Sequence, residues 1–179
     1  MKKIASIILL SFGMLVQAQS KYMTKTGSVT FEASVPSFEE VKATNTSTTA
    51  ILNTENGEFA ALILVKGFRF KNALMEEHFN ENYAESNTYP KATFKGTFNN
   101  FSTKELNNTF TIDGTLTFHG VSKSLKDIKV TISEIENVLK LTGSFNVLAS
   151  DFKIEIPKIV SNKLSNEVAV TFEFELFKK

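Results

Sequence analysis

The sequence contains no cysteine and no tryptophan, three prolines, a single arginine (Arg69) and two histidines (His78 and His119). Each scarcity removes a class of function. Without thiols there is no disulfide, no thiolate metal site, no cysteine nucleophile and no lipid-modified N-terminal cysteine. Two histidines with no H-x-x-x-H spacing and no Cys partner fall short of a zinc site, so no metal is expected. Basic residues number 20 and acidic residues 19, with no cationic stripe of the kind that tracks a phosphate backbone, so nucleic acid is not an expected partner. No repeat, low-complexity run or linker interrupts the chain.

What is present begins with a leader. Lys2 and Lys3 precede an apolar run from Ile4 to Val16, and Val16-Gln17-Ala18 supplies small residues for a signal peptidase cut before Gln19. The run is shorter than the roughly 20 residues a membrane-spanning helix requires. Residues 1–18 are therefore expected to be a cleaved signal peptide, and residues 19–179 one exported domain, periplasmic or secreted. Removing Lys2 and Lys3 leaves 18 basic against 19 acidic residues, a net charge of −1. With no disulfide available, that domain must stand on a hydrophobic core, and its length is ample for one.

The abundant residue is phenylalanine, 17 in all against three tyrosines. Phe carries no polar handle and goes to dry interiors or to apolar ligand surfaces. Its spacing is that of strands. Phe110, Ile112, Gly114, Leu116 and Phe118 alternate with Thr and Asp. Leu139, Leu141, Gly143, Phe145 and Val147 alternate with Lys, Thr, Ser and Asn. Ala92 to Phe98 and Val168 to Leu176 repeat the pattern, and further strands are expected at 28–35, 46–53, 59–68 and 125–133. Asn56-Gly57, Asn99-Asn100, Asn107-Asn108, Glu136-Asn137 and Ser165-Asn166 mark the turns between them. Short strands at such intervals predict an all-β sandwich or barrel. Residues 59–65 are apolar on both faces, which predicts a strand covered on its outer side. One segment departs from period two: residues 72–85 read as a helix with Asn72 as N-cap, its Leu74, Met75, His78 and Phe79 packing against the sheet.

Catalysis finds no support in these residues. Asp113 and His119 share a strand face, but six residues at about 3.3 Å each separate them by near 20 Å. Ser122 and Ser124 lack a nucleophile-elbow context. No catalytic residue and no cofactor is expected.

Three blocks then carry a resemblance: "FRFKNALMEEHFNENYAESNTYPKATFKGTF" from Phe68, "IDGTLTFHGVSKSL" from Ile112, and "GSFNVLASDFKIEIPKI" from Gly143. In this order they resemble the YceI-like family of periplasmic lipid-binding proteins. The resemblance implies an antiparallel lipocalin-like barrel of about eight strands with one short helix, enclosing an apolar channel for a polyisoprenoid or other long-chain lipid. It implies a carrier rather than an enzyme. The expected channel wall is Phe68, Phe70, Met75, Phe79, Phe94, Phe98, Leu116, Phe118, Phe145, Phe152 and Phe172. Arg69, His119 and Lys123 are candidates to meet a headgroup, set against ordinary roles in surface ion pairs or turns. Gly96, Gly114 and Gly143 either bend their strands or leave room in the lumen. A channel open at one end also allows a mouth-to-mouth homodimer. The competing readings are an envelope interaction or stress-related module with a filled barrel, and an enzyme acting on a lipid inside it.

Overall fold

A computed structural model of the chain describes residues 20–36 and 38–179. The predicted leader and its cleavage point lie outside the described residues. Nine strands appear in chain order: β1 (Lys21–Ser34), β2 (Lys42–Asn53), β3 (Glu58–Leu64), β4 (Arg69–Phe70), β5 (Lys91–Phe98), β6 (Asn108–Phe118), β7 (Val121–Ile135), β8 (Val138–Leu148) and β9 (Leu164–Lys178). One short helix, α1 (Ala73–His78), lies between β4 and β5. Every pairing is antiparallel, and β1 bonds to both β2 and β9. The circuit β1-β9-β8-β7-β6-β5-β3-β2 therefore closes on itself, and the two-residue β4 lies against the start of β2. This is the predicted eight-stranded barrel. Closure removes the free sheet edges that would otherwise invite aggregation.

Local chemistry sets the corners. The β6–β7 hairpin turns through His119 and Gly120, with φ of 49° and 71°, and the β7–β8 hairpin through Glu136 and Asn137, with φ of 51° and 66°. Two consecutive left-handed residues make the tight turn whose twist matches the flanking strands. Alternation holds along the wall: Phe110, Ile112, Val130, Ile132, Leu139, Leu141, Phe174 and Leu176 are buried, and the residues between them are not.

Two elements differ from the sequence-based expectation. The strand predicted over 59–68 stops at Leu64, where buried Asn45 donates from Nδ2 to the Leu64 carbonyl at 2.9 Å and a 3₁₀ turn, Val65–Gly67, takes over. Nor is its outer face covered, since Leu62 and Leu64 are exposed. The predicted helix is also shorter. Asn72 does cap it, Oδ1 accepting from Leu74 N at 2.9 Å and Met75 N at 3.4 Å. After His78 the chain widens into a π-turn, Phe79–Tyr83, where Ala84 N donates to Phe79 O at 2.8 Å. Asn80 Nδ2 donates to the Glu76 carbonyl at 2.9 Å, so a side chain shares the work of the backbone there. Phe79 is buried and Met75 half-buried, whereas Leu74 points to solvent.

Candidate ligand-binding lumen

The two ends of the barrel are built differently. At the end holding the β2–β3, β5–β6 and β7–β8 connections, rings fill the interior. Phe98 lies 6.2 Å from Phe59, 5.7 Å from Phe101 and 6.3 Å from Phe110, centroid to centroid, and Leu52, Ile132, Leu139 and Leu176 are almost wholly buried around them. Toward the other end the interior opens into a cavity of about 370 Å³. That is near the lower end of the ~300–1,000 Å³ usual for ligand sites.

Phe59, Phe98 and Phe174 form its floor, and Phe94, Ile112, Val130 and Leu141 its lower wall. The mouth lies between the α1 segment, which contributes Met75, His78, Phe79 and Tyr83, and the chain from Ala149 to Ser165, which contributes Phe152, Ile154, Ile156, Val160 and Lys163. Side chains from the wall are nearly all hydrocarbon. His78, Tyr83, Lys163 and Ser165 are the polar residues among those lining it, and they sit on the mouth elements rather than on the floor.

Aromatic rings set the shape of the wall. Near the mouth, Phe31 packs against Phe68 at 5.0 Å, Phe79 at 5.1 Å and Phe70 at 5.7 Å. On the opposite side Phe145, Phe172, Phe174 and Phe59 form a continuous run, with Phe172 and Phe174 stacked at 5.4 Å. The inward glycines explain how such rings leave a void. A Cβ on Gly114 would lie 2.4 Å from Phe94 Cζ, and one on Gly143 would lie 2.5 Å from Phe172 Cζ. The rings lie flat on bare backbone, against the wall instead of across the lumen. The glycines thus serve close packing of a ring, a third use beside the two considered from sequence.

All eleven apolar positions singled out from the sequence line this one cavity: Phe68, Phe70, Met75, Phe79, Phe94, Phe98, Leu116, Phe118, Phe145, Phe152 and Phe172. Period two alone brought six of them together, Phe94, Phe98, Leu116, Phe118, Phe145 and Phe172, because inward parity on adjacent strands converges on one interior. The three candidate headgroup contacts are engaged elsewhere, and none lines the cavity. Arg69 pairs with Glu76 at 3.0 Å and donates to the carbonyls of Lys66 and Phe68. Lys123 pairs with Asp151 at 2.9 Å. His119 donates from Nδ1 to the Phe152 carbonyl at 2.9 Å, its Nε2 lies 3.0 Å from Glu85 Oε2, and Tyr89 meets its ring edge-on. It fastens the β6–β7 turn to both mouth elements.

Sequence reasoning passed over Phe31, Phe59 and Phe174, and the mouth residues Ile154, Ile156, Val160 and Lys163. The first three lie on strands whose inward parity was readable. For the mouth segment the alternation of Ile154 and Ile156 with Lys153 and Glu155 was the available signal. Among the described residues no three of His, Asp and Glu gather closely enough to hold a metal ion.

A closed, eight-stranded antiparallel barrel with an apolar lumen open at one end defines the class: a lipocalin-like β-barrel. The YceI-like domain model matches residues 18–176, and the chain belongs to that family. No curated protein matches it by sequence. Among solved structures it is similar to a polyisoprenoid-binding domain from Saccharophagus degradans implicated in plant cell wall breakdown. That likeness has a TM-score of 0.77 and 16% identity, and covers 90% of this chain and 99% of that one. It is also similar to BcnA of Burkholderia cenocepacia (TM-score 0.69, 16% identity, 83% and 95% covered) and to the YCEI protein of Campylobacter jejuni (TM-score 0.64, 18% identity, 79% and 86% covered). At these identities the likeness establishes the fold.

Proposed function

We propose that this chain is an exported, non-enzymatic carrier that shields the apolar tail of an isoprenoid or other long-chain lipid in its lumen. The observation that carries the proposal is the cavity of about 370 Å³, walled by hydrocarbon and open at one end. Each methylene moved from water into such a space is favourable by about 0.8 kcal/mol, so a tail binds without specific polar chemistry. A polar headgroup then stays at the mouth, where Lys163, His78 and Tyr83 are the nearest polar side chains. The solved Saccharophagus degradans relative is described as polyisoprenoid-binding, which favours the same ligand class here. The signal peptide expected from the sequence at residues 1–18 favours action outside the cytoplasm. Such lipids do not cross water alone.

The test is native mass spectrometry of protein collected from an exporting host, followed by organic extraction. The expected result is a reproducible added mass released as a prenyl or acyl lipid. A bare mass that persists after incubation with octaprenol and with palmitate would refute the carrier reading and favour a barrel that acts by contact with other proteins.

A further inference from the structure

The two sides of the mouth are held differently. On the α1 side, polar bonds tie the segment to its neighbours. Glu76 accepts from Arg69 Nη1 and from Phe70 N on β4, Asn87 accepts from Lys66, and Glu85 meets His119 on the β6–β7 turn. Across the mouth, the chain from Ala149 to Phe152 is pinned as well. Lys123 pairs with Asp151 at 2.9 Å, Ser150 N donates to Asn166 Oδ1 at 3.0 Å, and His119 Nδ1 lies 2.9 Å from the Phe152 carbonyl.

There the ties stop. Lys153 turns the chain in the left-handed region, with φ of 60°, and Ile154 N donates back to Ala149 O at 3.2 Å. Among the described residues, the hydrogen bonds of residues 155–162 all stay within 155–163. They run from Val160 N to Pro157 O, from Ser161 N and Oγ to Lys158 O, and from Lys163 N to Val160 O. Neither Glu155, Lys158 nor Lys163 has an oppositely charged partner within 4.0 Å among the described residues. What keeps the stretch over the lumen is Ile154, Ile156 and Val160, which line the cavity and are half-buried. Because they border the open lumen, part of each side chain lacks partner atoms, and the hold is weak. A stretch with no polar tie to the barrel and few buried contacts opens at little cost while the strands stay shut.

We infer that residues 155–163 form a gate over the lumen, which turns at Lys153 and Leu164, opens to pass a lipid tail and closes on it. Leu164 is the second pivot because it begins β9, paired with Ser34. The inference rests on the lumen being a lipid site. A tail in the lumen gives Ile156 and Val160 the partner atoms they lack, so the ligand favours the closed form. Loading then requires the open gate, and retention the closed one.

Hydrogen exchange is followed at Val160, Ser161 and Lys163, the hydrogen-bonded amides of the stretch, with and without octaprenol. Exchange there should be insensitive to low urea, as local opening is, and bound octaprenol should slow it by about tenfold or more. Uptake and release of parinarate, a fluorescent fatty acid, are then timed by stopped flow in wild type and in Ile156→Ala with Val160→Ala. A loosened gate should speed uptake by about tenfold and release by more. Loss of two wall contacts alone would speed release and leave uptake unchanged. The melting point of the double variant should stay within a few degrees of wild type, because the stretch contributes nothing to the buried core cluster. A larger fall would make the stretch part of the packed fold and overturn the gate. Unchanged uptake in the double variant, or exchange that bound octaprenol does not slow, would overturn the gate and leave the carrier reading standing. A wild type that takes up neither octaprenol nor parinarate overturns both.

Discussion

Filling the lumen from its wall separates a ligand site from an incidental void. Leu116 and Val170 both line the cavity and are only half-buried, packed at one side against the core and open to the lumen at the other. A void of about 370 Å³ holds roughly a dozen methylene-sized groups at ~30 Å³ each. At about 0.8 kcal/mol per group a tail filling it gains on the order of 10 kcal/mol, part of which offsets the cost of association and ordering. Replacing both residues together, Leu116→Trp with Val170→Trp, puts two indoles where about four of those groups would lie. The loss of ~3 kcal/mol lowers affinity by roughly a hundredfold. Stability should hold or rise, because the indoles enter empty apolar space and not a packed core. Titration with octaprenol, followed by quenching of the introduced indoles or by calorimetry, reads affinity, and thermal melting reads the fold. Unchanged affinity in a variant whose melting point is maintained would refute the lumen as the ligand site. A melting point lowered by more than a few degrees would show that the space is not empty.

Other perturbations test the packing beneath the site. Thr48 Oγ1 is fully buried with no hydrogen-bond partner among the described residues, so Thr48→Val should raise unfolding free energy by about 1 kcal/mol in urea titration. Gly143→Val should destabilise by about 2–3 kcal/mol, with a lower midpoint in the same assay. Its Cβ would meet the Lys129 carbonyl at 2.7 Å as well as the Phe172 ring, and backbone cannot swing aside. Asn72→Ala removes the acceptor for Leu74 N and Met75 N. The cost of about 1 kcal/mol should appear as faster hydrogen exchange confined to residues 73–79, with the strands unaffected.

Much of this architecture was legible before any coordinates, and the reason is geometric. Inward parity is a property of each strand alone, so once a barrel is assumed, Phe94, Phe118, Phe145 and Phe172 must converge. The Asn72 cap was equally local. The misjudged features depend on what lies across space. Apolar Leu62 and Leu64 suggested a covered strand, yet among the described residues both are exposed. Arg69 and Lys123 offered charge near the mouth, but Glu76 and Asp151 reach them first, and no spacing rule foretells an ion pair between residues 28 apart such as Lys123 and Asp151. The mouth segment from Ile154 to Lys163 offered only the brief alternation of Ile154 and Ile156, too short in irregular chain to extrapolate to a wall.

Whether the barrel is hollow was the least legible feature, since the same residue type makes both halves. At the closed end Phe98 meets Phe59 and Phe110 edge to face, Phe101 packs at a tilt against Phe98 and Phe110, and these rings plug the interior. At the open end Phe94 and Phe172 lie on Gly114 and Gly143, and the space they vacate is the lumen. At these two positions the inward residue beneath the ring sets its tilt: a side chain there would lift the ring into the interior, and the glycine lets it lie down. On that argument a bulky residue at Gly114 or Gly143 would raise its ring into the channel and close it from within, even where the backbone tolerated the strain.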